Sequence, residues 1–189
     1  PYTSMGAPWF VQQDADGFYW HSYKGIQREK IDTPLEQWGN NAAKHYDVGY
    51  TKLAVDTKND KIWIAPYSGL SRYSIDGNNE TVYNSTTSPL PSFRILSIAL
   101  DHDGSLWVGT EAGLAHIKGT EWTVFTTTNT NAVLDREPIT CMAISGSTVW
   151  VGTTRGLVKF DGNQWTRYSP QNSEIEEHTS ELQSPDLIS

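Results

Sequence analysis

The chain has 189 residues, with 14 Lys and Arg against 22 Asp and Glu and a formal net charge of −8. No apolar stretch approaches the about 20 residues that a membrane-spanning helix needs, and the scattered basic residues form no phosphate-binding stripe. We therefore predict no membrane contact by this sequence and no nucleic-acid partner. A single Cys excludes an internal disulfide and a cysteine-based zinc site.

The sequence contains four copies of one unit. Four tryptophans recur at spacings of 43, 44 and 43 residues, and four glycines follow them at spacings of 44, 44 and 43. A fixed period near 40 residues is typical of propellers and solenoids. The tryptophans are Trp20, Trp63, Trp107 and Trp150, and the glycines are Gly25, Gly69, Gly113 and Gly156. The units lie near residues 9–49, 50–93, 94–137 and 138–172.

Within each unit apolar and polar residues alternate, as they do in half-buried strands. No helical pattern interrupts this alternation. Four short strands fit each unit, and a four-stranded meander repeated in this way is the blade of a β-propeller. We therefore predict an all-β fold, an arc of about four four-stranded antiparallel blades. In the fourth unit the predicted strands are 139–144, 148–153, 156–160 and 164–169.

Asp-Gly pairs close the predicted hairpins, because glycine readily adopts the positive φ angles of tight turns. Two pairs belong to Asp-x-Asp-Gly runs, at 14–17 and 101–104. Such runs are typical of calcium sites, because hard cations bind clustered carboxylates. Neither run continues with the further acidic positions of a calcium loop. We therefore interpret both as turns and predict no metal site and no cofactor. The pairs are Asp16-Gly17, Asp76-Gly77, Asp103-Gly104 and Asp161-Gly162.

Two stretches resemble the two-component regulator propeller repeat, which reads roughly D-x-x-G-x-L-W-x-G-T-x-x-G-L. They are DHDGSLWVGTEAGL at 101–114 and SGSTVWVGTTRGLVKF at 145–160. The second unit departs from the repeat at Ala65-Pro66, and the first departs at His21-Ser22. The resemblance implies that the blades are part of a seven-bladed ring. It also implies the periplasmic or extracellular sensor of a hybrid histidine kinase that detects polysaccharide fragments.

Residues that recur in every unit are interpreted as framework, so the repeated tryptophans are expected to pack between blades. Cys141 lies in the first strand of its unit, where we expect a buried, inert thiol. Residues that differ between units are the candidate ligand site. They lie in the loop between strands two and three and in the link before strand one, on one face near the axis. The candidates are Tyr23, Lys24, Tyr67, Arg94, Glu111, Arg136 and Arg155, and Glu137 lies in the same link as Arg136.

The sequence favours a non-catalytic ligand-binding module in signal transduction, with an oligosaccharide or another small ligand as partner. We assign no catalytic residue and no oligomeric state. One alternative is a propeller enzyme of the streptogramin lyase kind, for which His116 and Glu111 are the nearest available His and acid. The other alternative is a secreted scaffold that binds protein through the same face.

The two ends differ from the body of the chain. Pro1 stands at the start without a leader pattern, so we expect upstream sequence. Residues 1–173 are assigned to the propeller and 174–189 to a disordered tail, which holds five acidic residues and no basic ones. The peptide EEHTSELQS at 176–184 resembles a translated sequencing-library adapter, and a natural linker is the alternative.

Overall fold

The computed structural model describes residues 11–13, 17–21, 27–30, 52–66, 69–75, 80–84, 86–134 and 137–169. These residues form fifteen β-strands and no helix, so the described part contains no helix that could cross a membrane. The strands build one three-stranded and three four-stranded antiparallel sheets in chain order. The all-β fold of four-stranded blades is confirmed for the second to fourth units, and the tail lies outside the described residues.

Each sheet comes from one sequence unit and is called a blade below. The first blade contains β1 (Val11–Gln13), β2 (Phe18–His21) and β3 (Gln27–Lys30). The second contains β4 (Lys52–Asp56), β5 (Lys61–Ala65), β6 (Leu70–Tyr73) and β7 (Thr81–Tyr83). The third contains β8 (Ile95–Leu100), β9 (Leu106–Thr110), β10 (Gly113–Lys118) and β11 (Glu121–Phe125). The fourth contains β12 (Ile139–Ser145), β13 (Thr148–Thr153), β14 (Gly156–Phe160) and β15 (Trp165–Tyr168).

The Asp-Gly turns close hairpins. Gly104 between β8 and β9 has φ 82°, and Gly162 between β14 and β15 has φ 98°. Both angles lie in the left-handed region, where a side chain would be strained. The predicted turns are confirmed at these two positions, whereas Asp76-Gly77 lies outside the described residues.

Each blade has two unlike faces. In the third blade Ala99, Trp107 and His116 lie opposite one another in one cross-strand row. Leu106 and Val108 alternate with Trp107 along β9 and therefore point to the other side. We call the side of the repeated tryptophan the indole face and the opposite side the aliphatic face.

Hydrophobic cores form where the indole face of one blade meets the aliphatic face of the next. Between the second and third blades, Trp63 packs in one cluster with Leu106 and Val108. The first strands follow the same order, because β8 lies between β4 and β12. The tryptophans of the first three blades are almost fully buried, which confirms their packing role. They are Trp20 in a cluster with Ile62 and Ile64, Trp63 in the cluster above, and Trp107 with Val149 and Val151.

The glycine of the Trp-x-Gly-Thr motif allows neighbouring blades to approach. A Cβ atom placed on Gly109 would lie 2.6 Å from Ile139 Cγ2 of the next blade, which is closer than carbon atoms pack. Ser97 Oγ donates a hydrogen bond to the Ile139 carbonyl oxygen at 2.8 Å, and this bond is buried. The motif glycine is therefore required for the contact between β8 and β12.

The indole face of the fourth blade is not covered by any described residue. Leu157 is 42% exposed, whereas Leu114, at the same place in the third blade, is fully buried. Trp150 is also only half-buried. Cys141 lies on this face and is exposed, so the expectation of a buried thiol is wrong. The reason is that β12 buries only the side that contacts the third blade.

Candidate functional site

A threonine hydroxyl closes the loop between the second and third strands of a blade. Thr110 Oγ donates to the Gly113 carbonyl oxygen at 2.8 Å and accepts the Ala112 amide hydrogen at 3.2 Å. Thr153 does the same in the fourth blade, with Gly156 at 3.0 Å and Arg155 at 3.1 Å. The Gly-Thr-x-x-Gly motif thus fixes a short loop and leaves the two intervening side chains free to vary.

In the third blade this loop meets the link before the first strand. The Glu111 amide donates to the Arg94 carbonyl oxygen at 3.1 Å, and Arg94 Nη1 lies 2.6 Å from Glu111 Oε1. The side chains are 61% and 39% exposed, so the pair is accessible to a ligand. The structure therefore brings together these two predicted site residues, one from the link and one from the loop.

In the fourth blade the same corner holds a buried carboxylate. The Glu137 side chain is only 4% exposed, and Arg155 Nη1 lies 3.7 Å from its Oε1 atom. Arg167 contacts both carboxylate oxygens, with Nη2 at 2.9 Å from Oε1 and Nη1 at 3.3 Å from Oε2. Arg167 comes from β15, thirty residues along the chain, and sequence reasoning missed it because strand alternation alone does not single it out.

Three of the seven predicted site residues lie in the described part of the chain, and they come from two blades. Arg94 and Glu111 form one pair, and Arg155 contacts Glu137 in the next blade. The other four, Tyr23, Lys24, Tyr67 and Arg136, lie outside the described residues. The ligand site of the loops and links therefore remains a prediction.

His116 has structural partners on the indole face. Its ring stacks on Trp107 with centroids 4.1 Å apart, and Nε2 lies 2.8 Å from Ser105 Oγ. Burial lowers the pKa of His116 below its ordinary value, because the charged ring would lose hydration. Glu111, the acid of the lyase alternative, pairs instead with Arg94.

The Asp-x-Asp-Gly run of the third blade forms a charged turn. The Ser105 hydroxyl and the Lys118 ammonium group hold the pKa of Asp103 well below its ordinary value, as does the Ser105 amide. Lys118 Nζ lies 2.9 Å from Asp103 Oδ2. Among the described residues, no group of three or more His, Cys, Asp and Glu side chains could hold a metal ion.

The sequence around this corner matches a known repeat. Residues 89–112, which include both Arg94 and Glu111, match the family described as two component regulator propeller. Residues 89–112 thus carry one copy of this propeller repeat. No curated protein matches the sequence of this propeller.

Solved structures resemble this propeller over most of its length. Two are extracellular domains of hybrid two component systems from B. thetaiotaomicron. One is 20% identical to this chain with a TM-score of 0.63, and the alignment covers 85% of this chain and 23% of that domain. The other is 15% identical with a TM-score of 0.64, and the alignment covers 89% of this chain and 24% of that domain. An ancestral GH74 enzyme is 18% identical with a TM-score of 0.56, and the alignment covers 89% of this chain and 25% of the enzyme.

These likenesses show the fold alone, because proteins that share a fold at such low identity can have different functions. The chain spans about a quarter of the length of the extracellular domains that it resembles. The fold prediction and the family resemblance are thus confirmed.

Proposed function

We propose that this propeller is part of a non-catalytic, extracytoplasmic sensor that binds a ligand in two-component signalling. The observation that carries the proposal is the family match over residues 89–112, which contain the exposed Arg94–Glu111 corner. The similar extracellular domains of hybrid two component systems support the location.

The loops on this corner have the properties of a recognition surface. The threonine-closed frame is the same in the third and fourth blades, whereas the charges that it carries differ. The third blade presents an exposed cation and anion at 2.6 Å, and the fourth presents Arg155 above the buried Glu137. Variable side chains on a rigid scaffold commonly carry binding specificity.

The ligand proposed for this corner is an oligosaccharide, as the family resemblance implies. Arginine and carboxylate groups offer directed donors and acceptors to hydroxyl groups. The separate partners of His116 and Glu111 support a binding role over the lyase alternative.

Titration of the 189-residue chain with a panel of neutral and acidic oligosaccharides, measured by calorimetry, tests the proposal. We expect at least one to bind, and we expect Arg94→Ala or Arg155→Ala to weaken binding about tenfold, which corresponds to about 1.4 kcal/mol. Lys118→Ala is the control, because Lys118 is an exposed cation at the other end of β10. Equal affinity in all three variants would remove the corner from the site, and the absence of binding would contradict the sensor function.

A further inference from the structure

A groove of about 500 Å³ lies between the third and fourth blades. It opens where the link that follows β11 meets the turn between β14 and β15. None of its lining residues is ionisable, although the chain as a whole carries a net charge of −8. The groove is therefore suited to an uncharged ligand.

Three half-buried aromatic rings line the groove. Phe160 and Trp165 stack with centroids 4.4 Å apart, and Phe125 meets Trp165 edge-on at 5.1 Å. The contact of Phe125 with Trp165 has a counterpart between the second and third blades, where Tyr83 and Trp122 lie 5.3 Å apart. The pair formed by Phe125 and Trp165 therefore belongs to the framework. Phe160 also packs against Trp107, but it has no aromatic counterpart, because Ile117 occupies its place in the third blade. The third ring is thus a feature of this groove.

Four amide side chains line the same groove, and three of them are not engaged by other described residues. Asn131, Asn163 and Gln164 are exposed, and no hydrogen bond joins their side chains to another described residue. Their backbone is nevertheless fixed on the turn side, because Asp161 Oδ1 accepts the amide hydrogens of Asn163 and Gln164 at 3.0 and 2.8 Å. In the third blade the corresponding turn is Gly119-Thr120, which carries no amide side chain.

The opposite rim is held in place by the link itself. Asn129 Nδ2 donates to the Val124 carbonyl oxygen at 2.6 Å, and Thr130 Oγ donates to the Thr126 carbonyl oxygen at 2.8 Å. Thr130 Oγ also accepts the Leu134 amide hydrogen at 3.1 Å. These bonds hold the rim of the groove in shape without a ligand, which lowers the ordering cost of binding.

We propose that this groove binds a neutral saccharide. An amide group donates and accepts hydrogen bonds at once, as a sugar hydroxyl does, and an aromatic face packs against the apolar C–H face of a sugar ring. The groove combines aromatic rings with several uncharged polar side chains, which is the pairing that a neutral polar ring ligand requires. The proposal uses none of the loop residues above and does not depend on the function proposed for them.

Calorimetric titration of the chain with cellohexaose, xylohexaose, mannohexaose and laminarihexaose tests the groove, with hexagalacturonate as a charged comparison. We expect a neutral hexasaccharide to bind, and Asn163→Ala and Gln164→Ala each to weaken it by about five- to tenfold, as loss of a hydrogen bond does. Phe160→Ile, which introduces the residue of the third blade, should weaken it as well. Glu121→Ala is the matched control, because Glu121 precedes Trp122 as Gln164 precedes Trp165.

Circular dichroism establishes that each variant is folded before it is titrated. Binding that is lost in Arg94→Ala or Arg155→Ala but kept in all groove variants would overturn the groove and support the loop site. The reverse pattern would support the groove and overturn the loop site. No binding of any neutral hexasaccharide, or binding of hexagalacturonate alone, would also overturn the groove.

Discussion

In the second, third and fourth blades, the tryptophan of the indole face is accompanied by a side chain from the third strand. In the second and fourth blades this neighbour is a cation, with Arg72 5.8 Å from the Trp63 ring and Lys159 5.9 Å from the Trp150 ring. In the third blade it is His116, whose ring stacks on the indole at 4.1 Å. The same position thus holds a cation beside Trp63 and Trp150. Beside Trp107 it holds an imidazole ring, and burial of this ring favours its neutral form.

This difference predicts a pH-dependent stability. The pKa of His116 is lowered in the folded chain, so between that value and about 6.5 the unfolded chain binds a proton that the folded chain does not. The free energy of unfolding should therefore fall as the pH is lowered below about 6.5, and His116→Gln should reduce this fall. Urea unfolding followed by tryptophan fluorescence at pH 7 and pH 5 measures both. An equal fall in the two proteins would show that His116 is not the group responsible.

At the level of elements, one ion pair fixes the link between the third and fourth blades. Arg167 on β15 contacts both oxygens of Glu137 and also donates to the Val133 carbonyl oxygen. The outermost strand of the fourth blade thereby holds the segment that leads into its first strand. Glu137 is buried, so its carboxylate depends on this partner.

Loss of this partner should be costly. We expect Arg167→Met to lower the free energy of unfolding by about 3 kcal/mol, because it leaves a buried carboxylate largely unpaired. Arg155→Ala, which removes the more distant and 65% exposed partner of the same Glu137, should cost less than about 1 kcal/mol. Chemical unfolding of both variants measures the difference. Equal losses would mean that Arg167 does not stabilise the link.

The sequence indicated where this link lies but not its structure. Alternation and the loop motif predict the strands on either side, so Glu137 could be assigned to the variable link before β12. Its burial could not be predicted, because it depends on Arg167, thirty residues away. The amides of the groove were missed for the same reason, since Asn131 and Gln164 come together only when two blades pack.

At the level of the whole molecule, the spacing of the tryptophans predicts both the blades and their stacking. Trp20, Trp63 and Trp107 are buried between blades, as the recurrence predicts. Trp150 follows the same sequence pattern but is half-buried, because burial depends on what covers the face. Periodicity therefore specifies the sheet and the side that each residue faces, but not whether a neighbour is present.

Matched leucines test this stacking order. Leu114 and Leu157 occupy the same position on the indole faces of the third and fourth blades, and they are fully buried and 42% exposed. We expect Leu114→Ala to lower the free energy of unfolding by about 2–5 kcal/mol through lost burial and a cavity. Leu157→Ala should cost less than about 1 kcal/mol. Urea unfolding measures both, and similar losses would contradict the order of the blades.

The difference between the two faces of a blade fixes the order in which blades can stack. Because an indole face meets an aliphatic face at each junction between the described blades, these junctions are heterologous. The surface formed by Ala143, Trp150, Leu157 and Tyr168 is therefore the kind of face that an aliphatic face covers elsewhere in the molecule. Association that repeats the same contact between copies would proceed head to tail, and it would either close a ring or extend as a helix.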